Sequence, residues 1–145
     1  MRQVRVMTIQ TIKSLLNESN FRLTKEREAV LETLMHSGRM LTPGELYQLA
    51  KENHQRVGLT TVYRLLEVLT KIGLATPFLI EGEIFYAYCP EDHHHHFVCL
   101  SCHRIKDIYG CSQAFEPENA PGTVEYHRLD LFGHCQNCQE EIPTC

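Results

Sequence analysis

Through the first half of the chain the apolar positions recur every three to four residues. Ile9, Ile12, Leu15 and Leu16 keep that spacing, which gathers them on one face of a helix. A second series, Ala29, Val30, Leu31 and Leu34, follows Thr24-Lys25-Glu26-Arg27, where Thr24 is placed to cap the first turn. Thr42-Pro43-Gly44-Glu45 has the capping-box spacing, with Pro at the first helical position and Glu three residues after the Thr; Leu46, Tyr47, Leu49 and Ala50 form the face behind it. Another helix is expected from Thr60 or Thr61, carrying Val62, Leu65, Leu66, Val68, Leu69 and Ile72 before Gly73 stops it. Three capped helices with short connections predict a helix-turn-helix core.

The period then shortens. Thr76-Pro77-Phe78-Leu79-Ile80 and Ile84-Phe85-Tyr86-Ala87-Tyr88 flank Glu81-Gly82-Glu83, the pattern of two strands around a Gly-containing turn, expected as a wing. Pro90-Glu91-Asp92 interrupts it as a polar knot. The expected organisation is a winged-helix domain over 1–88, a hinge over 89–92 and a second domain over 93–145. At about 55 residues the second domain is too small to rely on its own core, so metal or subunit contacts are expected to stabilise it. Its strand-like segments are His95 to Leu100, Arg104 to Tyr109 and Thr123 to Phe132.

With 145 residues, 43% of them hydrophobic and 22% charged, the chain has the balance of a folded globular protein. No apolar run approaches the roughly 20 residues of a membrane span. The basic N-terminus lacks the apolar stretch of a signal peptide, and a cytoplasmic location without membrane contact is the expectation. The net charge of −4 conceals an asymmetry: residues 1–80 hold 11 Lys/Arg against 7 Asp/Glu, and residues 81–145 hold 3 against 11. The basic half suits a polyanion and the acidic half suits cations. All seven cysteines and seven of the nine histidines lie in the acidic half.

Cys99-Leu100-Ser101-Cys102 and Cys135-Gln136-Asn137-Cys138 are two CxxC pairs with 32 residues between them. Each pair can present two thiolates to one ion, and together they make the closed four-sulfur site of structural zinc. Disulfides would need an oxidising compartment, and a redox CxxC would be single and beside a βαβ unit.

His93-His94-His95-His96 leads into the first of these cysteines. On an extended strand His93 and His95 share one face and His94 and His96 the other, so one tetrapeptide can serve two metal sites, or be a solvated polar turn. Cys89 and Asp107 are candidates to join His94 and His96; Cys89 could also be a small buried residue. A sulfur, nitrogen and oxygen set suits zinc, whereas an N/O set suits Fe(II) or Mn(II) comparably. On the other face His127 and a carboxylate, Glu116 before Glu118, could join His93 and His95. Cys111 and Cys145 have no CxxC partner.

Three segments together resemble one family, the ferric uptake regulators and their zinc-, manganese- and peroxide-sensing relatives: Gly58-Leu59-Thr60-Thr61-Val62-Tyr63-Arg64 like its recognition helix, Arg22 to Arg27 like its first-helix motif, and His93 to Cys102 with His127 to Cys138 like its metal core. The resemblance covers nearly the whole chain and is nearest the zinc-sensing branch. It implies an α+β fold, an N-terminal winged helix-turn-helix domain followed by a small α/β dimerisation domain with structural zinc. Tyr63 would touch base edges or thymine methyls, Arg64 a phosphate or base, and Arg22 the minor groove, with Arg27, Thr60 and Thr61 on the same DNA-facing surface. The chain departs from the family pattern at three places. Met40 stands where iron- and peroxide-sensing members commonly carry a His, Thr76 where some members have an acidic residue, and Cys111 to Gly122 has little of the usual long helix.

The resulting expectation is a repressor that binds double-stranded operator DNA as a homodimer when its regulatory site holds zinc, controlling metal-uptake genes. An iron or peroxide sensor of the same architecture is the alternative within the family. From other classes come a zinc-dependent hydrolase, against which stands the lack of an HExxH or HxE arrangement, and a metal-storage module. No small-molecule substrate is expected.

Overall fold

The computed structural model describes residues 7–89, 93–110 and 119–139. The expected hinge residues Pro90 to Asp92, together with Cys111, Glu116, Glu118 and Cys145, lie outside the described residues. The chain divides into two compact units, Met1–Glu91 and Asp92–Cys145.

The first unit runs α1 (Ile9–Glu18), α2 (Lys25–His36), α3 (Pro43–Asn53), α4 (Leu59–Lys71), β1 (Ala75–Ile80) and β2 (Glu83–Tyr88). Threonine hydroxyls start three of the helices. Thr8 accepts from the Thr11 N–H, Thr24 from the Arg27 N–H at 3.3 Å, and Thr42 from the Glu45 N–H at 3.1 Å. The Glu45 carboxylate returns the last contact, accepting from the Thr42 N–H at 3.0 Å, so the capping box is complete. α4 begins at Leu59, one to two residues before the expected start. Its N-cap is Gly58, which has no hydroxyl to mark the boundary.

The apolar faces of α1 to α4 meet in one core containing Ile12, Leu16, Val30, Leu31, Leu34, Leu46, Val62, Leu65, Leu66 and Leu69. Gly73 takes φ +79°, a left-handed conformation that a side chain would resist, and releases the chain into β1. β1 and β2 form an antiparallel hairpin with Phe78 opposite Phe85, turning at Glu81 and Gly82, both at positive φ. Leu41 bridges to Tyr86 through two backbone hydrogen bonds of 2.9 and 2.7 Å, tying the hairpin to the residue before the capping box. Met40 is wholly buried.

The second unit has β3 (His95–Cys99), β4 (Ile105–Ile108), β5 (Asp130–Gly133) and a single helical turn, α5 (Gln136–Gln139). Its sheet has the order β4-β3-β5, antiparallel on one side of β3 and parallel on the other. The long strand expected over Thr123 to Phe132 is corrected here: only its end, from Asp130, is a strand, and Thr123 to Leu129 are irregular. The reason is the length of the partner. β3 offers His96 to Cys99 for pairing, so the residues before Asp130 have no neighbouring strand among the described residues. The only buried residues described in this unit are His95, His96, Val98 and Cys99, so its interior is made largely of potential metal ligands. Leu129, Leu131 and Phe132 on or beside β5, and Tyr109 and Tyr126, are exposed. No helix in the described residues is long and apolar enough to cross a membrane.

Candidate metal centres and nucleic-acid interface

The two CxxC pairs come together. β3 delivers Cys99 at its end, and a tight turn, with His103 N–H donating to the Cys99 carbonyl at 3.0 Å and His103 at φ +61°, folds Cys102 back beside it. Cys135 and Cys138 sit at the start and within the single turn of α5, where the Cys138 N–H donates to the Cys135 carbonyl at 2.9 Å. Ser101 Oγ and His134 Nδ1, 2.8 Å apart, fasten the two knuckles. All four sulfurs lie within 4.8 Å of one another, with Cys102 Sγ and Cys135 Sγ 3.8 Å apart. Zinc–sulfur bonds of about 2.3 Å in a tetrahedron imply sulfur separations of about 3.8 Å, so the residues fit that ion.

The electrostatics agree with the geometry. Burial raises the Cys99 thiol, but backbone N–H groups of Cys102, Cys135 and Ser101 overcome this and hold it down at about 6. Its neighbours move the other way. Cys138 is pushed up to about 12, first by its hydrogen bond with Cys135 and then by burial, and Cys102 is raised by burial. One thiolate suppresses ionisation of the rest, and a divalent cation is what allows several to ionise together.

The histidine run is divided between two faces. His93, His95 and His127 each place a ligand atom within 4.8 Å of the others, with the His93 and His127 rings 4.2 Å apart between centroids. His95 Nδ1 is buried without a hydrogen-bond partner among the described residues, an arrangement costly for a polar atom unless a ligand meets it. The carboxylate expected here, Glu116, is outside the described residues.

On the opposite face the His94 and His96 rings are 4.7 Å apart, and His94 Nε2 lies 3.6 Å from Asp107 Oδ1. Two nitrogen or oxygen donors at about 2.1 Å from one tetrahedral ion would be about 3.4 Å apart, so this pair also fits. Burial, reinforced by His94, pushes the His96 imidazole below its ordinary value, against the hydrogen bond it donates to Asp130. A neutral ring has the lone pair that ligation needs. Cys89, in the first unit, is buried at the end of the hairpin with its N–H donating to the Leu74 carbonyl at 2.9 Å.

Asp130 was not among the expected site residues. It faces His96 in the parallel register of β3 and β5, its Oδ1 3.0 Å from His96 Nδ1 and its Oδ2 bonded to the Arg128 Nε. The sequence holds one signal for it: Arg128 and Asp130 are opposite charges two residues apart at a strand start.

In the first unit α4 buries Val62, Leu65, Leu66 and Leu69 and turns Thr60, Tyr63 and Arg64 outward, with Thr61 half-buried. Tyr63 is 53% exposed, so it is no core aromatic. Arg22 is exposed. Arg27 is engaged locally: its Nη1 donates to the Arg22 carbonyl at 2.6 Å and its guanidinium lies 4.0 Å over the Phe21 ring. It therefore shapes the turn that presents Arg22.

Known proteins resemble this chain in sequence and fold. The model of the ferric uptake regulator family matches residues 18–130. The ferric uptake regulation protein of Synechococcus elongatus is 29% identical over 143 residues, covering 93% of this chain and 97% of the relative. The peroxide-responsive repressor PerR of Staphylococcus aureus is 28% identical, covering 87% and 88%. A solved zinc uptake regulator complexed with zinc and DNA superposes with a TM-score of 0.67 at 21% identity, over 91% of this chain and 93% of that one, a likeness of fold. A match spanning the helix-turn-helix, the hairpin and the histidine run makes this chain a member of the ferric uptake regulator family, and so a metal-sensing transcription regulator rather than an enzyme.

Proposed function

We propose that the protein is a zinc-responsive repressor that binds double-stranded operator DNA as a homodimer in the cytoplasm and controls metal-uptake genes. The observation that carries the choice of metal is the donor set. Cys89, His94 and His96 stand in one short stretch of chain, and Asp107 lies beside His94. A thiolate among imidazoles and a carboxylate is a zinc set; Fe(II) or Mn(II) would be favoured by its nitrogen and oxygen members alone. The names of the relatives divide between ferric, peroxide and zinc regulation, so the choice of zinc rests on the donor chemistry.

Four cysteines, Cys99, Cys102, Cys135 and Cys138, would hold a structural zinc, and His93, His95 and His127 with Glu116 an additional ion. Tyr63, Arg64, Thr60 and Thr61 on α4 would meet the major groove, with Arg22 reaching the minor groove and Arg27 on the same DNA-facing surface. The exposed apolar row on β5 supports a second copy of the chain as the partner. Metal shared by Cys89 and the two histidines would restrain the segment 89–92 and favour the DNA-binding form. An ion that prefers that form about 100-fold biases it by about 2.7 kcal/mol.

The test is metal content per chain after anaerobic purification and equilibration in buffered zinc or ferrous iron, followed by operator binding of Cys89→Ser. Zinc beyond the four-sulfur equivalent, uncompeted by iron, with loss of metal-dependent binding in the variant, supports the reading. Iron in every site but the sulfur one, or a variant that responds normally to zinc, identifies an iron or peroxide sensor instead.

A further inference from the structure

We infer that Asp130 is the positioning residue of the regulatory metal site, holding His96 in the tautomer and orientation that direct Nε2 to the ion. This rests on the assignment of His94 and His96 as metal ligands. The backbone fixes the contact: His96 and Asp130 are paired positions of the parallel β3–β5 ladder, so the two side chains project from adjacent strands at one level. Oδ1 stands 3.0 Å from His96 Nδ1, and both side chains are close to fully buried, 7% and 11% exposed. A carboxylate can only accept, so Nδ1 carries the proton and donates it, and the lone pair is left on Nε2.

The second oxygen is occupied as well. Arg128 Nε donates to Oδ2, so each carboxylate oxygen has a cationic or N–H partner and the group is locked about its χ angles. With one oxygen behind the His96 ring and the other on Arg128, Asp130 acts through His96 and is not itself a donor to the ion. A hydrogen-bonded carboxylate raises the basicity of a ligating imidazole, and loss of such a partner weakens metal binding by about 10- to 100-fold. Asp107, by contrast, faces His94 Nε2 and is the carboxylate placed to ligate directly.

The test titrates Co(II) into protein that retains zinc in its four-sulfur site, comparing the full chain with Asp130→Ala, Asp130→Asn and His96→Ala. Asp130→Ala is expected to bind Co(II) about 10- to 100-fold more weakly. Its ligand-field bands at saturation should match those of the parent, because the ligands are the same. Asp130→Asn, which can still accept from Nδ1, is expected to recover a large part of the loss. Unchanged affinity in Asp130→Ala overturns the inference, as do altered bands, which would make Asp130 a ligand. Failure of both Asp130 variants to keep the zinc and the sheet would reduce its role to folding and overturn it too. If His96→Ala binds Co(II) like the parent, the underlying site assignment fails, whereas loss in His96→Ala alone sinks only the role of Asp130.

Discussion

Cys102 Sγ and Cys135 Sγ stand 3.8 Å apart although they are 33 positions apart in the chain. Around them the described residues of the second unit bury little but potential ligands, so a zinc ion bound there would supply much of its folding free energy, on the order of 10 kcal/mol for such sites in small peptides. Prolonged chelation, or Cys102→Ser, is expected to remove the second unit's share of the β-sheet signal and any dimer while the helices and hairpin of the first unit persist. Circular dichroism with sedimentation checks this; an intact sheet after removal of the metal would contradict it.

Thr42→Ala removes the side-chain half of the capping box at the start of α3, the acceptor for the Glu45 N–H, and leaves the Thr42 backbone N–H to the Glu45 carboxylate. The expected cost is about 1 kcal/mol, seen as a few degrees in the melting of the helical unit, with zinc content unchanged. Thr42→Ser should restore nearly all of it.

Tyr63 and Arg64 lie on the outer face of α4, so their replacement by Ala should leave thermal stability within about 0.5 kcal/mol of the parent. Operator affinity should nevertheless fall about tenfold or more. Arg22→Ala should weaken binding to every sequence and lower the slope of log affinity against log salt by about one. Fluorescence anisotropy across a salt series separates the two effects; equal losses on specific and random DNA for Tyr63→Ala would remove it from base recognition.

Acid should destabilise the second unit through His96. Its folded value lies below the ordinary one, so the unfolded chain binds the proton more tightly. The associated stability is complete above about pH 6.5 and is lost as pH falls through the folded value. Melting of protein with only its sulfur site loaded should therefore drop on acidification below that point, and the drop should be smaller in His96→Asn. A melting temperature that rises in this window would reverse the sign.

Local chemistry was legible in the sequence and distant pairing was not. Thr24 and Thr42 announce their helices because a cap is written within four residues, and Glu81-Gly82 announces its turn for the same reason. The CxxC pairs and the alternation of His93 to His96 are likewise local, and they place two histidine groups on opposite faces of β3. Asp130 could not be found this way, since it meets His96 only when a parallel strand 34 residues later aligns with β3. The overlong strand from Thr123 has the same origin: strand propensity is local, but strand length is set by the partner. The charge of Arg27 is visible in the sequence, whereas its stacking on Phe21 is not.

β3 begins at His95 and ends at Cys99, so the strand that displays the histidines is anchored at one end by the sulfur quartet. A chain without an ion in the quartet would be expected to lack an ordered β3, and with it the surface that displays His95 and His96, so filling of the sulfur site would come before any sensing by the histidines.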